Sequence, residues 1–225
     1  MAESGLVTVL FTDLVGSTEL SERIGDGAAD DLRRRHFDSL RSVIATTGGD
    51  EVKTIGDAVM VTYRGAADAI AGAVGMQQAV DRDNRAGGEP LAMRVGISAG
   101  DATYEDGDWF GRPVIEASRL CAEAEGGQIL VAGIVKVLAG SRAGHELRSV
   151  GELELKGLPE PIDAAEVRWE PESGTADRSG ELTVSLPVQL ERVDAFSFVG
   201  REAEAEAVTT AWKEVAAGGR RTVLI

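Results

Sequence analysis

A chain of 225 residues with 43% hydrophobic content is long enough to bury one sizeable core and carry an appendage. Its net charge of −15 leaves no basic field for nucleic acid or an anionic membrane, so any phosphate site is a local pocket and the partners are small ligands or proteins. One cysteine, Cys121, excludes an internal disulfide, and one cysteine with two histidines leaves no zinc cluster.

Residues 6–11 read as a buried strand, short and rich in β-branched side chains, that stops at Thr12-Asp13. Ser17 or Thr18 can cap a following helix. Over 28–46, Leu32, Leu40, Val43 and Ile44 recur at helical spacing until Gly48-Gly49 ends the pattern. Residues 51–55 and 58–63 form a predicted hairpin with Gly56-Asp57 at its tip, facing the end of the first strand. An alanine-rich helix over 66–80, a loop over 85–90 and a strand over 91–99 follow. A helix near 114–124 and strand-like segments at 128–132, 146–155 and 164–169 complete the pattern. Strand, helix, hairpin, helix, strand is the order of a split βαββαβ sheet with helices on one face, an α+β fold. The N-terminus has no basic region before its apolar run, and no stretch approaches the roughly 20 apolar residues of a membrane span, so a cytoplasmic protein is expected.

Asp13 and Asp57 each sit where a strand-like run gives way to a loop, and carboxylates so placed converge on hard cations. Lys53 precedes Asp57 by four residues, and DWFGRPVIEASRL brings Asp108 and Arg119. Paired acids with a lysine and an arginine suit polyphosphate chemistry. Taken singly, each residue has a plainer reading: a turn or helix cap for either aspartate, a solvated strand lysine, a loop aspartate in an acidic run, a surface ion-pair arginine.

The segment 7–167 resembles a class III nucleotidyl cyclase catalytic domain, through FTDLVGST, GGDEVKTIGDAVM, MRVGISAG, DWFGRPVIEASR and ELELKGL in that family's order. The resemblance implies the ferredoxin-like split βαββαβ sheet and conversion of ATP to 3′,5′-cyclic AMP and pyrophosphate. It implies that Asp13 and Asp57, with the Leu14 carbonyl, hold two Mg²⁺ or Mn²⁺ ions per site. Lys53 and Asp108 occupy the base-reading positions; a lysine donor and an aspartate acceptor match adenine, and guanine reverses those needs. Arg119 corresponds to the arginine that stabilises phosphoryl charge, and Lys156 to a phosphate-contacting lysine, although a solvated lysine fits that strand end as well. The family works as a head-to-tail homodimer, with metal ligands from one protomer and base-reading and arginine residues from the other.

The chain departs from the family at Ile115, where an asparagine orients the substrate; removing one such donor costs roughly 10²–10³ in rate. Two readings follow: an adenylate cyclase of low turnover, or a degenerate domain that binds nucleotide and regulates an attached module. The connection between Ala99 and Asp108 is short, which implies a reduced dimerisation arm. Gly48-Gly49-Asp50-Glu51 spells most of a diguanylate cyclase signature, but Val52 follows and the lysine-to-Gly-Asp spacing fits class III. The expected domains are the cyclase at 1–169, a Pro/Ser/Gly/Thr linker at 170–197, and at 198–225 a segment similar to the start of a signal-transduction ATPase, without its phosphate loop.

Overall fold

The computed structural model describes residues 3–171. In chain order the elements are β1 (Glu3–Leu14), α1 (Ser17–Ile24), α2 (Asp26–Thr47), β2 (Asp50–Ile55), β3 (Ala58–Tyr63), α3 (Ala66–Arg85), β4 (Met93–Glu105), β5 (Asp108–Phe110), α4 (Arg112–Glu123), β6 (Ile129–Ala132), α5 (Gly133–Ala139), β7 (Leu147–Leu153) and β8 (Ile162–Val167). The eight strands form one sheet in the order β2-β3-β1-β4-β6-β8-β7, with β5 folded back on β4. Only the β4–β6 pair is parallel. The expected α+β sheet is therefore present.

β1 outruns its apolar stretch because β4 pairs with it throughout, from Glu3 against Tyr104 to Leu14 against Met93. The tip of the β2–β3 hairpin lies beside the end of β1, since Thr12 pairs with Val59, two residues from Asp57. Gly56 makes that turn at φ +65°, a conformation that L side chains resist. The cap expected from Ser17 or Thr18 is absent: α1 is entered through Gly16 at φ +69°, and no side-chain cap hydrogen bond forms.

Alternation divides the core. Leu10, Leu14, Val61, Val95 and Ile97 face α2, α3 and α5, where Leu40, Ile44, Ile70 and Val135 close over them. This is the expected face of gathered helices. Val7, Val9, Phe11 and Met60 point the other way, where Ala117 and Cys121 of α4 cover them. At Gly96 the helix backbone touches the strand: a Cβ there would lie 2.1 Å from Cys121 N and 2.2 Å from Ala117 O. The absent side chain at Gly96 lets α4 settle this low.

Two elements escape the sequence pattern, β5 and α5, because three and seven residues carry too little periodicity. Asp106-Gly107 closes the tight β4–β5 turn, with Asp106 at φ +51°. Among the described residues no helix is long and apolar enough to cross a membrane. The expected linker beyond residue 171 and the expected ATPase start lie outside the described residues.

Candidate active site

Asp13 ends β1 opposite Arg94 of β4, on the face that carries α4. The Arg94 Nε donates to Asp13 Oδ2 at 2.9 Å, and a second guanidinium nitrogen donates to the same oxygen. Oδ1 takes no hydrogen bond among the described residues. Arg94 also donates to Ala122 O at 2.8 Å, which ties the carboxylate to the C-terminal part of α4. In the sequence Arg94 is marked only as a cation on a strand between Met93 and Val95; its pairing with Asp13 comes from the strand register.

Asp57 sits in the hairpin turn, and its Oδ2 is buried without a hydrogen-bond partner among the described residues. It lines a cavity of about 530 Å³ with Leu14, Ser17, Thr18, Asp30 and Gly56. Asp13 is not among the lining residues, so within one chain Asp57 and Leu14 share this space while Asp13 is turned towards Arg94. The donor types suit a hard cation, although one chain does not gather them in one cavity. Asp57 offers an orphaned carboxylate oxygen, Asp13 an uncommitted one, and Leu14 a backbone carbonyl. No group of three or more acidic, histidine or cysteine ligands forms among the described residues. Two carboxylates completed by phosphate oxygens is the usual arrangement for Mg²⁺.

Lys53 and Asp108 are brought together across β2 and β5, and the Lys53 ammonium donates to Asp108 Oδ2. The Trp109 amide donates to Asp108 Oδ1 at 2.8 Å. The hydrogen bond from Lys53, more than the Trp109 amide, holds the Asp108 carboxyl below its ordinary range. In a regular strand Val52 and Lys53 would point to opposite faces, but a bulge between Glu51 and Lys53 cancels that alternation. Val52 packs into the cluster containing Met60, and Lys53 pairs with Met60 in register.

Arg119 lies exposed on α4 without a hydrogen-bond or ion-pair partner among the described residues. Ile115, one turn earlier on the same face, is 47% exposed. Glu116 instead points into the sheet at 7% exposure, accepting from Ser98 Oγ and Arg112 Nε. Lys156 is exposed in the β7–β8 connection beside Glu154 and Glu160. In the strand order, five to six spacings separate that connection from β2, roughly 25 Å at about 4.8 Å each. One chain therefore groups Lys53 with Asp108 and Leu14 with Asp57, and leaves Lys156 at the far edge.

His36 of α2 is 3% exposed, and its Nε2 has no hydrogen-bond partner among the described residues. Burial pushes its pKa from 6.5 down to about 4, against the opposing pull of Asp83 and Asp57. The unfolded chain takes up this proton below pH 6.5 and the folded chain only near 4, so stability is lost as pH falls through that window. At pH 5 the loss amounts to about 2 kcal/mol. Urea denaturation of wild type and His36→Gln at pH 7.5 and pH 5 checks this: wild type should lose about 2 kcal/mol more than the variant. Equal losses would refute neutral burial of His36.

Comparison with known proteins places these features. Residues 1–166 match the family described as the adenylate and guanylate cyclase catalytic domain. The chain is 33% identical over 187 residues to a pH-sensitive adenylate cyclase of Mycobacterium tuberculosis, an alignment covering 80% of this chain and 46% of that protein. It thus spans less than half of that relative's length. The adenylyl cyclase CyaB of P. aeruginosa superposes with a TM-score of 0.66 at 27% identity, over 76% of this chain and 98% of that one. An adenylate/guanylate cyclase/hydrolase from Silicibacter pomeroyi gives 0.68 at 31% identity, over 76% and 100%. On this match, which spans the sheet and every site residue named above, the chain belongs to the adenylate and guanylate cyclase catalytic-domain family.

Proposed function

We propose that this domain is an adenylate cyclase, converting ATP to 3′,5′-cyclic AMP and pyrophosphate at two sites shared between the protomers of a homodimer. The observation that carries the choice of ATP is the Lys53–Asp108 pair, one donor and one acceptor already held against each other. Lys53 donates to a ring acceptor of adenine and Asp108 accepts from its exocyclic amine; guanine offers the opposite set. The ribose 3′-oxygen attacks the α-phosphorus, loses its proton, and the bond to the pyrophosphate oxygen breaks. Two Mg²⁺ or Mn²⁺ ions, when bound, supply acidity at that hydroxyl and neutralise phosphate charge. Asp13, Asp57 and the Leu14 carbonyl are the groups that would hold them. Arg94 keeps Asp13 Oδ2 occupied and so presents Oδ1. Arg119 meets the charge that develops on the phosphoryl group, and Lys156 contacts the outgoing phosphates. The single cysteine, Cys121, is buried with its thiol pKa pushed up to about 12 by that burial, so it is not a nucleophile in this chemistry.

The reading of shared sites is supported by Lys156, which stands too far along the sheet to join Asp57 in one chain. Mixing Asp57→Ala with Arg119→Ala tests it. Each alone should be inactive. Equal parts should regain about a quarter of wild-type activity, because half the dimers are mixed and each mixed dimer holds one intact site of two. Dimeric, folded variants that fail to complement would overturn the shared site. The exposed Ile115 favours a second reading, a nucleotide-binding domain without turnover.

A further inference from the structure

We infer that Glu116 is a positioning residue for the proposed cyclisation: its buried carboxylate locks the rotation of α4 on the sheet and thereby aims Arg119. This rests on the cyclase reading above. Glu116 is 7% exposed and Ser98 fully buried, and the Ser98 hydroxyl donates to Glu116 Oε2 at 2.6 Å. The other oxygen, Oε1, accepts from Arg112 Nε at 2.6 Å, one turn back in the same helix. One carboxylate oxygen is thus committed to the sheet and the other to the first turn of α4.

A carboxylate is an expensive group to bury, and an apolar side chain of similar volume usually serves a core at least as well. The rest of the contact shows what it adds. Ala117 and Cys121 rest against Gly96, a flat backbone seat that fixes how close α4 lies but opposes its rotation weakly. The Ser98–Glu116 bond is directional and resists that rotation. Arg119 follows Glu116 by three residues, about 60° around the helix, and has no hydrogen-bond or ion-pair partner among the described residues to steady it. A rotation of about 20° at a helix radius of about 5–6 Å moves a side-chain tip by roughly 2 Å, and a 1 Å misplacement can cost about 10²-fold. With Ile115 apolar and exposed, the neighbouring polar side chain on α4 serves the seating of the helix, not the substrate.

The test is a double-mutant cycle in kcat between Glu116→Leu and Arg119→Ala, with melting temperatures measured in parallel and Glu116→Gln as the conservative variant. Arg119→Ala alone should lower kcat by about 10²–10³-fold. Glu116→Leu should lower it at least about tenfold with KM for ATP within about twofold, and the melting temperature should fall by no more than several degrees, since the buried Ser98 hydroxyl loses its acceptor. In the Glu116→Leu background Arg119→Ala should then cost less by the same factor that Glu116→Leu has already removed, because the arginine is already misdirected. Glu116→Gln, whose amide oxygen still accepts from Ser98, should recover most of the lost kcat. Additive losses in kcat, or full turnover in folded Glu116→Leu, would overturn the positioning role and leave the cyclase reading standing. Full turnover in Arg119→Ala, or no turnover in wild type, would overturn the proposed chemistry and this inference with it.

Discussion

Asp57→Ala should abolish cyclic nucleotide formation, by about 10³-fold or more, while leaving the apo domain as stable as wild type or more so. Most buried polar atoms have partners, and one left without a partner costs about 1–3 kcal/mol. Asp57 Oδ2 is such an atom, at the tip of a hairpin and on the wall of a cavity of about 530 Å³. Removing it relieves that cost, and at about 2–4 °C per kcal/mol for a domain of this size the melting temperature should rise by several degrees. Added Mn²⁺ with a non-hydrolysable ATP analogue should stabilise wild type more than the variant, because only wild type offers this carboxylate to the proposed ions. A variant that loses stability together with activity would make Asp57 a structural turn residue.

Gly96→Ala should disrupt the domain more than its size suggests. The new methyl would meet two backbone atoms of α4 at 2.1 and 2.2 Å, where ordinary contacts begin near 3.4 Å. Neither atom can rotate away. The helix must lift by roughly 1 Å, which strains the Ser98–Glu116 bond and the Arg94 bond to Ala122 O. A loss of about 3 kcal/mol in chemical denaturation is expected, at the upper end of overpacking effects. Turnover per folded molecule should also fall at least about tenfold, since Arg119 and Asp13 both depend on the seat of α4. Wild-type stability in this variant would show that the helix has slack that the fold does not suggest.

The fold was legible where periodicity was long. α2 and the β2–β3 hairpin follow directly from apolar spacing and from Gly-Asp punctuation, and the hairpin tip does face the end of β1. β5 and α5 were not legible because short elements are set by tertiary pairing and not by their own pattern. The site divides in the same way. The proximity of Lys53 and Asp108 followed from the family resemblance, but the bulge that turns Lys53 onto the face of Val52 left no sequence signal. The grip of Arg94 on Asp13 depends on strand register, which no local window contains. Nothing in the local sequence marks Glu116 for burial, which arises because Gly96 and Ser98 open a seat beneath it.

The central claim is that the Lys53–Asp108 site selects ATP for cyclisation. The most direct measurement is cyclic nucleotide formation by the purified chain from ATP and from GTP in parallel, in Mg²⁺ and in Mn²⁺, with Arg119→Ala alongside. Cyclic AMP at a rate at least about tenfold above cyclic GMP, and lost in Arg119→Ala, is the expected result. A preference for GTP would contradict the base reading, and a dimeric chain that binds ATP with metal yet forms no cyclic product would contradict the cyclase itself.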